Sequence, residues 1–285
     1  MRELSSNRYK LSAEKGMVLL LTFIMITALT AIVVAFLYMS STQLKGSGYD
    51  VASNKALWLA EAGVQKAIWN LKTPLGSGGQ GEDWTTAGTT ETLGNGSYTM
   101  VVDRWDFALA ANGSSASASS ESGGHKAEKA IDGKDDTRWE STNKPTPTNP
   151  EEIIINFPYT LTINKVRFFL TSDLLERRPK DYSWEISTDG INYTTVVSRT
   201  NNNDTDVTDE FSAASNVNYL KLKVTDIGTS KKGVVVATLE AIGSKITSTG
   251  TVDVINRKIE QTVIADDVTE TAYDEIDWNE IVPAT

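Results

Sequence analysis

A long uncharged segment lies near the N-terminus and passes into a segment with helical periodicity. Met17 to Tyr38 is an apolar run of roughly 20 residues, enough to cross a bilayer as one helix. Beyond it, apolar residues recur at three- and four-residue spacing at Val51, Ala52, Ala56, Leu57, Ala60, Val64, Ala67, Ile68 and Leu71. No proline occurs before Pro74. The pattern predicts one helix over residues 17–72, apolar all round at first and amphipathic afterwards.

Strand alternation replaces the helical pattern after a glycine-rich loop at residues 76–81. Two groups of alternating residues follow: Tyr98, Met100 and Val102 in the first, and Val252, Val254, Ile259, Gln261 and Val263 in the second, which is divided by a turn at Asn256-Arg257. They predict a small antiparallel sheet, packed on the helix and built from residues 73–106 and 244–285. The acidic tail from Asp266 to Glu280 is expected to close this domain at the surface.

An insertion at residues 107–243 separates the two halves of the predicted sheet. Turn residues interrupt it about every 8–12 positions, a spacing typical of a β-sandwich or jelly roll. The predicted fold class is therefore α+β, with an all-β jelly-roll sandwich inserted into a helix-and-sheet host. The ends of a sandwich are often adjacent, so breaks near Trp105-Asp106 and Lys245-Ile246 should let host and insertion fold separately.

Composition and charge narrow the classes of function. The chain has 285 residues, a net charge of −10, no cysteine and one histidine. Because phosphate binding needs clustered Lys and Arg, the charge argues against a nucleic-acid partner. The chain has no nucleophile elbow and no Walker loop, so we expect no catalytic residues and no enzymatic activity. The basic N-terminal flank predicts a cytoplasmic N-terminus and an acidic bulk outside the cytoplasm.

The junction Glu14-Lys15-Gly16-Met17 before the apolar run, together with Ala60-Glu61-Ala62-Gly63, resembles a type IV prepilin, most closely the minor pilins of the PilX kind. An ordinary secretory signal fits poorly, because its small residues follow the apolar region, whereas Gly16 precedes it. The resemblance covers about the first 70 residues. It implies a leader at 1–16, cleavage by prepilin peptidase between Gly16 and Met17, residence in the inner membrane, and assembly with other pilin subunits.

One position departs from the major pilins. Their fifth mature residue is a glutamate, whereas Leu21 would occupy that position here. In lacking this glutamate the chain resembles minor or tip subunits, which need no subunit above them. An uncleaved one-span anchor remains an alternative, with residues 17–38 as its transmembrane part.

The insertion carries five motifs in a fixed order: Lys129 to Trp139, Ile153 to Phe157, Ile163 to Val166, Tyr182 to Gly190, and Thr238 to Ala241. In this order they resemble the discoidin family, also called the coagulation factor 5/8 C-terminal type, which includes carbohydrate-binding modules of family 32. The resemblance covers about 135 residues. It implies a β-sandwich that binds a glycan or another surface ligand.

The Asp132-Gly133 turn has the chemistry of a calcium loop, because Ca²⁺ prefers six to eight oxygen ligands. The resemblance implies a structural Ca²⁺ held by residues of the turn and of the last strand, namely Lys129, Asp132, Lys134, Thr137, Leu239 and Glu240. Asp135 and Asp136 match no ligand position. A simple Asx turn, in which Asp132 accepts from its own loop amides, is the alternative.

Candidate ligand-binding residues lie in or beside loops: His125, Arg138, Glu140, Arg177 and Arg178. Sugar sites use planar polar groups that pair with hydroxyls, usually beside an aromatic face. Tyr159 and Tyr193 are candidates for that face, although both also suit strand packing. Trp139 and Trp184 are expected in the core.

These patterns together predict a minor pilin or tip subunit that displays a discoidin-type adhesive module. Two alternatives remain open. The first is a pseudopilin of a type II secretion-like system, whose insertion contacts subunits or cargo. The second is a membrane-anchored binding protein outside any filament.

Overall fold

The structure, a computed structural model, describes residues 3–230 and 232–264. The predicted closing tail at residues 266–280 lies outside them. One helix, α1, runs from Glu3 to Lys72. Eleven strands follow: β1 Thr86–Leu93, β2 Gly96–Asp106, β3 Ser115–Ala118, β4 Trp139–Glu140, β5 Glu151–Phe169, β6 Asp181–Ser187, β7 Thr194–Arg199, β8 Asp206–Asp226, β9 Val235–Val236, β10 Thr238–Val252 and β11 Ile255–Val263. The predicted α+β class is confirmed.

The second half of α1 packs on an antiparallel sheet made by β1, β2, β10 and β11. The residues buried between helix and sheet are Ala56, Leu59, Ala60, Val64, Ala67, Leu71, Tyr98, Met100, Val102, Ile246 and Val252. Gly250 allows the closest approach, because a Cβ there would lie 1.9 Å from the Ala56 carbonyl oxygen. Val51, predicted in the packed stripe, is 51% exposed.

The turn that joins β10 to β11 differs from the prediction. It lies at Asp253-Val254, where Asp253 adopts a φ of 54°, rather than at Asn256-Arg257. Aspartate tolerates the left-handed region through local hydrogen bonding, so the chain reverses there without a glycine. Both residues of the predicted turn belong to β11 instead.

The sandwich is built from β3, β5, β8, β6 and β7, and β4 pairs with β9 in a separate two-stranded sheet. Trp139 and Trp184 are fully buried in its core, as predicted. The ring of Phe168 packs edge-on against Tyr182, with 5.1 Å between centroids. The core consists largely of aromatic and branched side chains, supplied by the motif strands and also by β8, which no motif predicted.

One strand belongs to both units. Residues Thr238 to Ala241 of β10 pair with β5 of the sandwich, and Ile242 to Val252 pair with β2 of the helix-packed sheet. The change of partner lies between Ala241 and Ile242, a few residues before the expected Lys245-Ile246. Host and insertion are thus joined through a continuous strand, which the expectation of separately folding units did not include.

Asp106 fixes this junction at the end of β2. Its Oδ1 accepts hydrogen bonds from the backbone N–H of Ala108 at 2.9 Å and of Ala241 at 3.0 Å. Burial raises the pKa of Asp106 from 3.8 to about 7, although the two N–H donors act in the opposite direction. The carboxyl group therefore ties the first residues of the insertion to its last strand.

Ion pairs surround the same junction. Glu240 forms ion pairs with Arg104 from β2 and with Arg167 from β5. Arg167 also pairs with Asp206 at 2.6 Å. The buried Lys165 ammonium pairs with Glu82 at 2.6 Å, across from the sandwich to the loop before β1. Removing one partner of such a buried pair is costly, since the other charge stays desolvated.

The raised pKa of Asp106 predicts a pH dependence of stability. Between about pH 4 and 7 the folded chain holds a proton that the unfolded chain has released, so the stability it contributes is lost as pH rises to about 7. Asp106→Asn cannot titrate but keeps an oxygen acceptor. We expect the wild-type free energy of unfolding to fall relative to the variant by about 1.4 kcal/mol per pH unit in this window. Urea titrations of both proteins across the window measure it; parallel curves would contradict the assignment.

Candidate functional site

Four of the five predicted ligand-binding residues meet at one end of the sandwich. Glu140 lies at their centre, because β4 alternates: Trp139 points into the core, and Glu140 points the other way. Its Oε1 lies 2.7 Å from Nη2 of Arg177, and its Oε2 lies 3.5 Å from Nε of Arg138 and 4.0 Å from Nε2 of His125. We call His125, Arg138, Glu140 and Arg177 the Glu140 cluster.

Backbone contacts hold the loops of the Glu140 cluster in place. The backbone N–H of Glu140 donates to the His125 carbonyl at 3.2 Å, and Ser122 N–H donates to the Glu140 carbonyl at 2.7 Å. Arg177 ends the short helix Ser172–Arg177, and its Nε donates to the Gly233 carbonyl at 2.8 Å. Three loops distant in sequence are therefore brought to one carboxylate.

The side chains of the Glu140 cluster lie at graded depth. Arg177 is 5% exposed and Glu140 14%, whereas Arg138 is 31% and His125 42% exposed. The Arg177–Glu140 pair thus forms the floor, and His125 and Arg138 form the rim. A ligand would meet an imidazole and a guanidinium at the rim, beside a carboxylate that is already oriented.

Opposing effects set the ionisation of Glu140. Burial raises its pKa, but the hydrogen bond and charge of Arg177, with the charges of His125 and Arg138, outweigh burial and lower the pKa overall. The carboxylate is consequently ionised near neutral pH and can only accept hydrogen bonds. Hydroxyl groups of a sugar are suitable donors to it, and the Arg138 guanidinium and the His125 ring offer N–H donors to the same hydroxyls.

Arg178 has other partners. Its Nε donates to the Asn202 carbonyl at 3.0 Å, its Nη2 to Asn203 Oδ1 at 2.8 Å, and its Nη1 to the Leu175 carbonyl at 2.7 Å. Successive residues after the short helix point in different directions, so Arg178 braces the loop before β8 while Arg177 reaches Glu140. The structure does not bring Arg178 to the cluster.

The two tyrosines proposed as sugar platforms are engaged elsewhere. Lys221 Nζ lies 3.7 Å from the ring centroid of Tyr193, and Tyr159 packs against the sandwich core. Leu175, in the same short helix as Arg177, is an exposed apolar side chain at 44%. An aromatic stacking face is therefore not supplied by either candidate.

The predicted calcium turn gathers four oxygen atoms. Thr137 Oγ1 lies 2.8 Å from Asp132 Oδ1, 3.1 Å from the Lys134 carbonyl and 3.3 Å from the Lys129 carbonyl. The other carboxylate oxygen of Asp132 is buried without a hydrogen bond, and the Lys129 ammonium lies 3.6 Å from it. Clustered carbonyl, hydroxyl and carboxylate oxygens suit a hard cation, so this part of the predicted shell fits Ca²⁺. Asp132 Oδ1 also accepts from Lys134 N–H at 3.1 Å, which is the Asx turn kept as the alternative.

The last-strand part of the shell is arranged differently. Glu240, predicted to complete the shell with the Leu239 carbonyl, pairs instead with Arg104 and Arg167. Two guanidinium groups from neighbouring strands offer that carboxylate charge-assisted hydrogen bonds. Asp135, which matched no ligand position, accepts a hydrogen bond from Thr238 Oγ1 at 2.9 Å and so connects the turn to β10. Leu239 itself has a buried side chain.

Sequence reasoning found the members of the Glu140 cluster but not its geometry. The pairing of Arg177 with Glu140 joins residues far apart in the chain, and no local pattern carries that information. The break near Trp105-Asp106 was predicted, but the hydrogen-bonding role of the Asp106 carboxyl group was not. Its only sequence signal is a charged residue at the end of a strand that otherwise alternates.

Comparison with known proteins addresses the sandwich. Residues 115–239 match the family model of the F5/8 type C domain. This part of the chain is an F5/8 type C domain. The predicted discoidin resemblance is confirmed, whereas the matched residues do not include the N-terminal helix. No curated protein sequence matches the chain.

Several solved structures resemble the F5/8 type C domain. One is chitosan-binding module 1 of a chitosanase/glucanase from Paenibacillus sp. IK-5, at 27% identity, 48% coverage of this chain, 98% of that chain and a TM-score of 0.42. A Clostridium perfringens module in complex with GalNAc-β-1,3-galactose has 21% identity, coverages of 46% and 95%, and a TM-score of 0.41. The family 32 module of NanJ from C. perfringens, in complex with galactose, has 18% identity, coverages of 49% and 99%, and a TM-score of 0.43.

Calcium binding by the turn stays a prediction, which melting experiments can test. A ligand that binds only the folded state stabilises it by RT ln(1 + [L]/Kd), about 2.7 kcal/mol at a hundredfold excess over Kd. We expect EGTA to lower the melting temperature of the wild-type chain. Asp132→Ala should abolish that difference and Asp136→Ala should retain it. Equal melting of the wild type with Ca²⁺ and with EGTA would leave only the Asx turn.

Proposed function

We propose that this protein is a membrane-anchored minor pilin or tip subunit of a type IV pilus-like filament, and that its F5/8 type C domain binds a glycan on an opposing surface. The Glu140 cluster supports the proposed glycan binding. The N-terminal junction at Gly16-Met17 supports the proposed assembly into a filament. The two parts are tested separately below.

The Glu140 cluster suits sugar hydroxyls better than a free charged ligand. Its ionised carboxylate accepts hydrogen bonds, while Arg138 and His125 offer donors at the rim. A phosphate or carboxylate ligand could accept from Arg138 and His125, but its own charge would lie beside that of Glu140. Neighbouring hydroxyls, each of which both donates and accepts, can satisfy acceptor and donors together. The glycan complexes of the compared modules supply the sugars for a first panel.

Anchoring is supported by the exposed first half of α1. From Met17 to Tyr38 its large apolar side chains are each more than half exposed. This segment is long enough and apolar enough to cross a membrane, and Lys15 lies two residues before it. Burial in hydrocarbon would remove this apolar surface from water. The sandwich would then be held outside the membrane by the second half of the helix.

The binding part predicts a specific mutational pattern. The full-length chain in detergent should bind glycans of an array that includes galactose-, N-acetylgalactosamine- and glucosamine-terminated structures. Glu140→Gln removes the charge that orients both rim residues, and His125→Ala removes one rim donor. Each should weaken binding to the best glycan by roughly tenfold or more, since a lost polar contact in a half-buried site costs on the order of 1–3 kcal/mol.

Arg178→Met is the matched control, since Arg178 neighbours Arg177 in sequence but contacts the loop before β8. It should retain binding. Loss of binding in the control, with Glu140→Gln unaffected, would contradict the assignment of the cluster. The absence of any glycan hit for the wild type would favour a contact with other subunits, as in the pseudopilin alternative.

The filament part predicts processing by prepilin peptidase. Co-expression with the peptidase should yield a mature chain that begins at Met17, seen by mass spectrometry of the N-terminal peptide. Gly16→Leu should block the cut while leaving membrane insertion intact, because the apolar run is unchanged. A wild-type chain that stays uncut in the presence of the peptidase would contradict the pilin assignment and favour a membrane-anchored binding protein outside a filament.

A further inference from the structure

The β10–β11 turn lies beside α1 just beyond the uncharged part of the helix. Its residues Asp253, Val254 and Ile255 face helix residues 45–52 across a shallow cleft of about 300 Å³. Arg257 of β11 donates from Nε to Ser53 Oγ at 2.8 Å, which holds the hairpin against the helix. The turn therefore has a defined height along α1.

The position of the turn along the axis of α1 coincides with the expected edge of a bilayer. The uncharged run from Met17 to Leu44 is about 28 residues, or about 42 Å at 1.5 Å per residue. A bilayer with its headgroup layers is about 40–45 Å thick, and Lys15 and Lys45 flank the run on its two sides. The turn, level with residues 45–52, lies within about 12 Å of the end of the run.

The side chains at this level suit a lipid interface. Val254 is 71% exposed at the tip of the turn, Leu44 is 72% exposed, and Tyr49 is 60% exposed. Tyrosine is enriched where membranes meet water, because its ring is apolar and its hydroxyl is polar. Lys45 and Asp253 bring opposite charges to the cleft, and Asp50 lies on the same stretch of the helix.

Turn chemistry does not explain Val254. Two-residue hairpin turns favour glycine, asparagine and aspartate, and no turn preference calls for a valine. The neighbouring hairpin of the same sheet uses Gly94-Asn95, and it lies at the same end because Gly96 pairs with Val252. Leu93 beside that turn is also exposed, at 59%. This end of the sheet thus presents apolar residues toward the side from which the membrane helix leaves.

We propose that the β10–β11 turn contacts the phospholipid headgroup layer through Val254 and, with Tyr49, forms a second membrane contact beside the helix. The proposal rests on the membrane anchoring in the proposed function. A spanning helix tilts by about 20° on average, and tilting toward the hairpin lowers the turn into the headgroups. The contact fixes the rotation of the helix about its axis, and with it the direction in which the sandwich faces.

The test places a fluorescent label at the turn of the full-length chain. Because the chain has no cysteine, Val254→Cys provides a unique attachment site for an environment-sensitive NBD dye. The chain is reconstituted in phosphatidylcholine–phosphatidylglycerol vesicles that carry a nitroxide either on the headgroup or deep in the acyl chain. We expect loss of emission with the headgroup nitroxide and a smaller loss with the deep nitroxide. Val254 is exposed, so circular dichroism should show an unchanged fold.

Two control positions separate this contact from anchoring. Leu29→Cys, within the uncharged run, should be quenched most by the deep nitroxide, and Ile191→Cys, 81% exposed on the sandwich, should not be quenched. A label at Leu29 that is not quenched would overturn anchoring itself. A quenched label at Leu29 with an unquenched one at Val254 would overturn only the turn contact. Quenching at Val254 by nitroxide-labelled copies of the chain, and not by lipid, would also overturn it.

Discussion

The backbone hydrogen bonds of β10 bind the two halves of the molecule into one sheet. The strand leaves the sandwich at Ala241 and enters the helix-packed sheet at Ile242 without a break. A flexible linker would let the sandwich rotate freely. A strand that is paired on both sides of the junction can bend only if some of its hydrogen bonds break. The Glu140 cluster therefore has a fixed relation to the axis of α1.

Charge reinforces this backbone constraint. The junction cleft, with a volume of about 660 Å³, is lined by side chains from both units, including Lys165, Arg167, Glu82 and Arg104. Lys165 is 8% exposed and pairs with Glu82, Asp83 and Glu210, so its charge is matched from both sides of the junction. Because each unit supplies carboxylates to a cation of the other, separating the two units would break ion pairs on both sides of the junction.

Much of the architecture follows from local pattern, which the sequence shows directly. The spacing of apolar residues at a period of 3.6 predicted the helix and its end at Lys72. The alternation of apolar and polar residues predicted the strands on either side of the insertion. Errors arose where one residue overrides the pattern, as with Asp253, whose left-handed conformation moves the turn away from Asn256-Arg257. Val51 was also misplaced, since periodicity shows a face but not where the sheet beneath it ends.

Long-range charge pairing is the part that sequence could not supply. The residues of the Glu140 cluster were identifiable as loop residues, yet nothing local distinguishes Arg177, which reaches the carboxylate, from Arg178, which does not. Resemblance assigned Glu240 to a metal, because the motif around it matches the family. Its neighbours Arg104 and Arg167 come from other strands, and their charges become relevant only once the sheet has formed.

Glu240 shows how the junction and the predicted metal turn depend on one another. Thr238, two residues earlier on β10, donates to Asp135 in the turn, so the turn and the junction lie along the same face of one strand. A cation in the turn could recruit Glu240 only by taking it from Arg104 and Arg167, which would leave two guanidinium groups with fewer anionic partners. The loss of these ion pairs would then offset part of the free energy of metal binding and weaken the junction. A cation bound only by the oxygen atoms around Thr137 would leave the ion pairs of Glu240 intact. That arrangement would therefore cost this chain less free energy.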